Sequence, residues 1–228
     1  MENRTRREFL GEVGKGMLTA SVGAALAADI GLSPAVAESI ERPLDFGRLE
    51  PLVALMQEHS AEQVLPLVVD RLAGGTAIRE VVAAAALANA RTFGGEDYIG
   101  FHAFMALLPA YEMSKEVRAD RSALPVLKVL YRSTNQIQAK GGRTAETLHH
   151  VDEPTLTPPA MGRAALLDAE RRGQVDLAEQ IFAGIAARSA TEAFDDVQTL
   201  VHDDTDVHRV VLAYRASRFA ALLRWRKE

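Results

Sequence analysis

Histidines carry the chemical lead in this sequence: His59, His102, His149, His150, His202 and His208. A neutral imidazole ligates transition metals and moves protons near neutral pH. His102 sits inside the apolar stretch GFHAFMALLP of residues 100–109. On a helix its neighbours at i−4, i+3 and i+4 are Tyr98, Met105 and Ala106. An imidazole buried there needs a hydrogen-bond partner or a metal; a core histidine bonded to a nearby carbonyl is the plainer expectation, ligation the sharper one. His208 falls in the first turn of a helix, where positive charge is disfavoured and a neutral, coordinating imidazole is better placed. His202 ends the preceding helix, and Asp204 or Thr205 between the two is the expected N-cap. The aspartates 203, 204 and 206 lack the glycine and distal glutamate of an EF-hand loop. The adjacent pair His149-His150 lies in a loop and points two ways, so at most one serves a given metal; a solvated pair accounts for it equally well. His59, beside Glu58 at a polar helix end, reads as solvated. Lys128, between Leu127 and Val129, reads as a snorkelling lysine, with a role as base or modified ligand the lesser expectation. Tyr98, Tyr111 and Tyr131 are expected to pack in the core.

The chain has no cysteine. That excludes disulfides, thiolate zinc, iron–sulfur clusters and the thioether attachment of c-type haem. Any metal must sit in a nitrogen and oxygen shell, which leaves iron, zinc, manganese or copper. No phosphate-cradling glycine loop, G-x-S-x-G or H-E-x-x-H motif occurs. The formal net charge of −5 provides no field for a phosphate backbone, so nucleic acid is not an expected partner.

The elements that must position these side chains read as helices throughout. Alanine and leucine dominate, and both favour helix. Apolar residues recur at helical spacing over 48–59, and Ser60 with Gln63 forms a capping-box pattern opening a helix to about 73. Gly74-Gly75, Gly94-Gly95 and Gly141-Gly142 read as helix stops. Between them the pattern predicts helices over 77–93, over 98–117 capped by Asp97 and crossed by Pro109, and from Asp120 or Ser122 to 139. A proline-rich loop follows over 143–160, long enough to be functional or a boundary. Helices are then expected over 161–172, 175–189, 191–201 and 207–227. No strand signal appears. The fold class is all-α, with antiparallel helix pairs forming a bundle or short superhelix. Residues 38–47 read as a linker, 48–142 as an N-terminal helical part, and 161–228 as a C-terminal part, either of the same domain or opening a longer one. Within it, residues 176–186 (DLAEQIFAGIA) look like one arm of a helix-pair repeat.

The first 37 residues have another logic. Thr5, Arg6, Arg7, Glu8, Phe9 and Leu10 resemble the twin-arginine export motif. A weakly apolar stretch over 16–32 follows, and Ala35-Val36-Ala37 offers small residues for cleavage after Ala37. Lys15, Asp29 and several glycines argue against a permanent membrane anchor. The expectation is transfer by the twin-arginine translocase to a periplasmic or extracellular location. That route carries folded proteins, often with a cofactor already inserted.

Residues 75–142, above all ANARTFGGEDYIGFHAFMAL over 88–107, are similar to uncharacterised twin-arginine-exported proteins of the kind abundant in planctomycetes. More distantly, they resemble the questin oxidase-like family of helical proteins. That resemblance implies a histidine-rich non-haem iron site and oxygenase activity on aromatic polyketides. His102 matches a histidine of the family's alanine-rich helix, while His149 and His208 enter by chemical type alone. Two functions are therefore expected. One is a mononuclear metal, iron first among the candidates, on His102, His208 and either His149 or His150, with His202 and Lys128 as lesser ligands, acting on a small molecule. The other is a non-catalytic helical-repeat module that binds a partner protein.

Overall fold

The computed structural model describes residues 44–94, 97–145, 148, 151, 162–203 and 206–224. Among them the chain is all-α, with nine α-helices, no strand and three short 3₁₀ turns. It divides into two compact units, residues 45–147 and the described residues from 148 onward with Leu44. The leader, most of the linker, and the loop histidines His149 and His150 lie outside the described residues. Among those described, no helix is long and apolar enough to cross a membrane.

The first unit holds α1 (Glu50–Glu58), α2 (Ala61–Ala73), α3 (Ile78–Phe93), α4 (Tyr98–Glu116) and α5 (Leu124–Ala139). Proline fixes two starts. Pro51 and Pro125 lie in the first turns of α1 and α5, where a missing N–H costs nothing. That is why α5 begins at Leu124 rather than at Asp120 or Ser122. Asp120 instead pairs with Arg118, and the Ser122 hydroxyl donates to the Ala119 carbonyl. The box at α2 forms as expected: Ser60 N–H donates to Gln63 Oε1 at 3.0 Å, and Gln63 N–H to Ser60 Oγ at 3.4 Å. Pro66, inside α2, stands on its exposed side.

At the centre lies α3. Every residue from Val81 to Phe93 is buried, so this helix is covered on all sides. It packs against α1, α4 and α5 and the 3₁₀ turns Gly47–Leu49 and Gly142–Ala145. Alanines at 83–86, 88 and 90 leave room for that many neighbours. Its buried polar side chains are all engaged. Asn89 Nδ2 donates to the Gly100 carbonyl (2.9 Å) and to Ser133 Oγ (3.1 Å), joining α3, α4 and α5. Arg91 is fully buried and forks onto Glu50 of α1, with Nη1 and Nη2 each 2.9 Å from a carboxylate oxygen. Its Nε reaches Gln57 Oε1 at 2.9 Å, and the Phe46 ring lies 5.0 Å from its guanidinium. Gln57 in turn donates to Thr92 Oγ1 and accepts on its carbonyl from Gln138.

Two glycines allow this packing. A Cβ on Gly100 would clash with the Phe93 ring, and one on Gly142 would stand 2.6 Å from the Gln57 carbonyl oxygen. Asp97 caps α4 by accepting from Gly100 N–H at 2.7 Å and also takes two hydrogen bonds from Gln136 of α5. Burial raises the Asp97 pKa, but the Gly100 amide, Gln136 and Lys140 outweigh it and hold the carboxyl below its ordinary value.

The second unit comprises α6 (Arg163–Arg171), α7 (Val175–Arg188), α8 (Ala190–Asp203) and α9 (Val207–Arg224), each packed on the next and α6 also on α8. Its core is built from Leu166, Ile181, Phe182, Ile185, Leu200 and Phe219. Gly173 turns the chain between α6 and α7 with φ +66°, and Ser189 Oγ accepts from Glu192 N–H at the start of α8. The buried carboxylate of Asp196 accepts from Arg163 Nε at 2.7 Å.

Candidate functional site

His102 lies on the solvent side of α4, not in the core. Its Nδ1 is 2.7 Å from the Tyr98 carbonyl oxygen; a carbonyl only accepts, so Nδ1 carries the proton. The ring packs against Tyr98, with centroids 4.3 Å apart and planes tilted by 52°, and meets Phe101 edge-on at 5.4 Å. A carbonyl of its own helix thus satisfies the imidazole, as the plainer expectation had it, but at the surface. This tautomer is also the one a ligating histidine uses.

His208 is likewise exposed. Its amide donates to Asp206 Oδ1 at 2.6 Å, and its Nδ1 lies 3.2 Å from the same oxygen. The cap of α9 is therefore Asp206; Asp204 and Thr205 lie outside the described residues. The His208 amide is the main cause holding the Asp206 carboxyl below its usual value; burial opposes it, and the Arg209 amide and the His208 imidazole add to the lowering. That carboxylate occupies the positive end of α9 as its cap, a role that needs no metal. His202 is exposed in the last turn of α8, and His59 Nδ1 lies 3.2 Å from the Leu55 carbonyl. Lys128 is exposed on α5. Among the described residues, no three histidine, aspartate or glutamate side chains stand close enough together to hold a metal ion.

What the histidine pattern did not point to is the outer face of α4. From Tyr98 to Tyr111 this helix has no charged residue, and both its faces are apolar. Phe101, Phe104, Leu107 and Leu108 are buried against α3 and α5. On the other side run Tyr98, His102, Met105, Ala106, Pro109 and Met113, with Tyr98 70 % and Met113 55 % exposed, and Glu112, paired with Lys115, stands beside them at the far end. Tyr98 is thus a surface residue rather than a core one. Tyr131 is also partly exposed, and its hydroxyl donates to Glu62 at 2.9 Å. Beyond Met113 the face runs into a shallow groove of about 260 Å³, lined by Met113, Val117, Arg121, Leu124, Pro125 and Lys128. The signal for this surface was present in the sequence: a long uncharged run without the one-sided periodicity of an ordinary surface helix.

No protein-family model, no curated protein sequence and no solved structure matches this chain.

Proposed function

We propose that the chain is an exported, non-catalytic helical module that holds a partner protein through the outer face of α4. The exposure of Tyr98 and Met113 on one side of α4, with no charged residue between Tyr98 and Tyr111, carries this reading. Contiguous apolar side chains left in water mark interaction surfaces rather than ordinary exterior. The polar groups of the first unit support it from the other side. Glu50, Gln57, Asn89, Arg91 and Thr92 bond one another across helices, which suits a rigid scaffold. Delivery to the periplasm or beyond rests on Arg6, Arg7, Phe9, Leu10 and the cleavage signal ending at Ala37.

The histidine-held iron of a questin oxidase-like enzyme draws less support. The buried imidazole it called for is exposed at His102, and His208 is tied to Asp206.

The test places a photo-reactive benzoylphenylalanine at Met105 in cells that export the chain. One predominant cross-linked protein is expected, lost in the Tyr98→Glu/Met113→Glu variant while helical circular dichroism is kept. Only background cross-linking would remove the proposal. Stoichiometric iron in the chelator-free protein, lost on His102→Ala, would replace it with the metal reading.

A further inference from the structure

We infer that the groove at the foot of α4 receives an acidic amphipathic helix of the partner protein. This rests on the binding-module reading and adds the chemistry of what is bound. The floor is apolar, formed by Met113, Val117, Leu124 and Pro125, and the remaining lining residues are the cations Arg121 and Lys128. No carboxylate lines the groove. Neighbouring charges are neutralised locally: Lys115 pairs with Glu112 at 2.8 Å, and Arg118 with Asp120 at 3.2 Å. The side chains of Arg121 and Lys128 form no ion pair with any described residue, so both charged residues that line the groove are cationic. Glu116 stands nearby on α4 but does not line it.

Met113 belongs both to the groove and to the outer face of α4, which joins the two into one track with the Glu112–Lys115 pair at its edge. From Tyr98 to Met113 that track is about 22 Å long at the helical rise, the length of a partner helix of about 15 residues. A helix laid in an apolar groove presents its anchors at i, i+3, i+4 and i+7. Carboxylates on its flanks would meet Arg121 and Lys128 at the rim, where charge sets selectivity and association rate. A basic helix of the same apolar pattern would meet like charge.

The probes are two synthetic peptides of about 18 residues. Both carry leucine on one helical face; one has glutamate on the flanks and its twin has lysine. Each is titrated by fluorescence anisotropy against the chain purified after export. The glutamate peptide is expected to bind about tenfold or more tightly than its twin and to weaken as salt rises. In Arg121→Glu/Lys128→Glu the preference should vanish or invert, with circular dichroism unchanged. Equal binding of the two peptides, or binding of neither, overturns the inference. Binding only to phosphatidylglycerol vesicles overturns it in favour of a membrane surface. Self-association abolished by Leu124→Asp overturns it in favour of a second copy. If the cross-link at Met105 survives Arg121→Glu/Lys128→Glu, partner binding stands and the acidic helix does not; if no cross-link forms in the parent chain, both fall.

Discussion

The two helices α3 and α4 invert the usual expectation of which sequence belongs inside. α3 carries an arginine, an asparagine and a threonine in its buried stretch and is enclosed on every side. α4 runs from Tyr98 to Tyr111 without a charge and still leaves one face in water. The difference lies in partners rather than in hydropathy. Small alanines let several elements close around α3, and Glu50 and Gln57 reach in to satisfy Arg91. On α4 the ring of Phe93, the backbone of Gly100 and the cap at Asp97 hold one side against α3 and α5. Its other side, with Tyr98, His102, Met105 and Met113, stands exposed at Tyr98, His102 and Met113.

Breaking the enclosed side of this contrast should cost most. Arg91→Ala leaves the Glu50 carboxylate with only the Phe46 amide and Arg143, and Gln57 Oε1 without its donor, so a loss of about 3–5 kcal/mol is expected in denaturant unfolding. Arg91→Lys should recover little, because a single ammonium cannot reproduce the fork. A loss below about 1 kcal/mol would mean that α3 tolerates an unpaired polar centre and that the network is dispensable.

Gly100→Ala attacks the contact between the two helices. Its methyl group would overlap the Phe93 ring, and an overpacking penalty of about 1–3 kcal/mol is expected. Phe93→Leu in the same chain should return part of it. An unfolding midpoint equal to that of the parent would show that the ring simply swings aside.

Asp97→Ala removes the cap of α4 at a cost of about 1 kcal/mol near neutral pH. The folded chain holds this carboxyl below its ordinary value, so its contribution is present above the unfolded pKa of about 3.9 and fades as pH falls through the lowered folded value. Parent and variant should therefore converge in stability on acidification below about pH 4. A gap that stayed constant into that range would assign the loss to packing rather than to the charge. The smallest effect belongs to the open side of the contrast: Tyr98→Glu/Met113→Glu should change stability by no more than about 0.5 kcal/mol per site while abolishing partner capture.

Much of the helical framework was legible in residue order. Ser60 with Gln63, the glycines at 74–75 and 94, and Asp97 mark ends whose hydrogen bonds close within a few residues. Starts set by proline were less visible, since Asp120 and Ser122 look like better caps than Ala123 until Pro125 is weighed. The histidines misled for a related reason. His102 was placed in the core because its sequence neighbours are apolar, yet it falls on the side of an all-apolar helix that its own unit does not cover.

The sequence by itself determined that the chain is helical, where its described helices begin and end to within a few residues, and that no thiolate chemistry is open to it. Those properties depend on backbone hydrogen bonds between near neighbours and on which side chains exist at all. Tertiary structure alone decided that Arg91 is buried and answered by Glu50, forty-one positions away, that Asn89 ties three helices together, and that α4 keeps an uncovered face. Burial and charge pairing depend on which distant segments arrive to exclude water, and local spacing does not specify that.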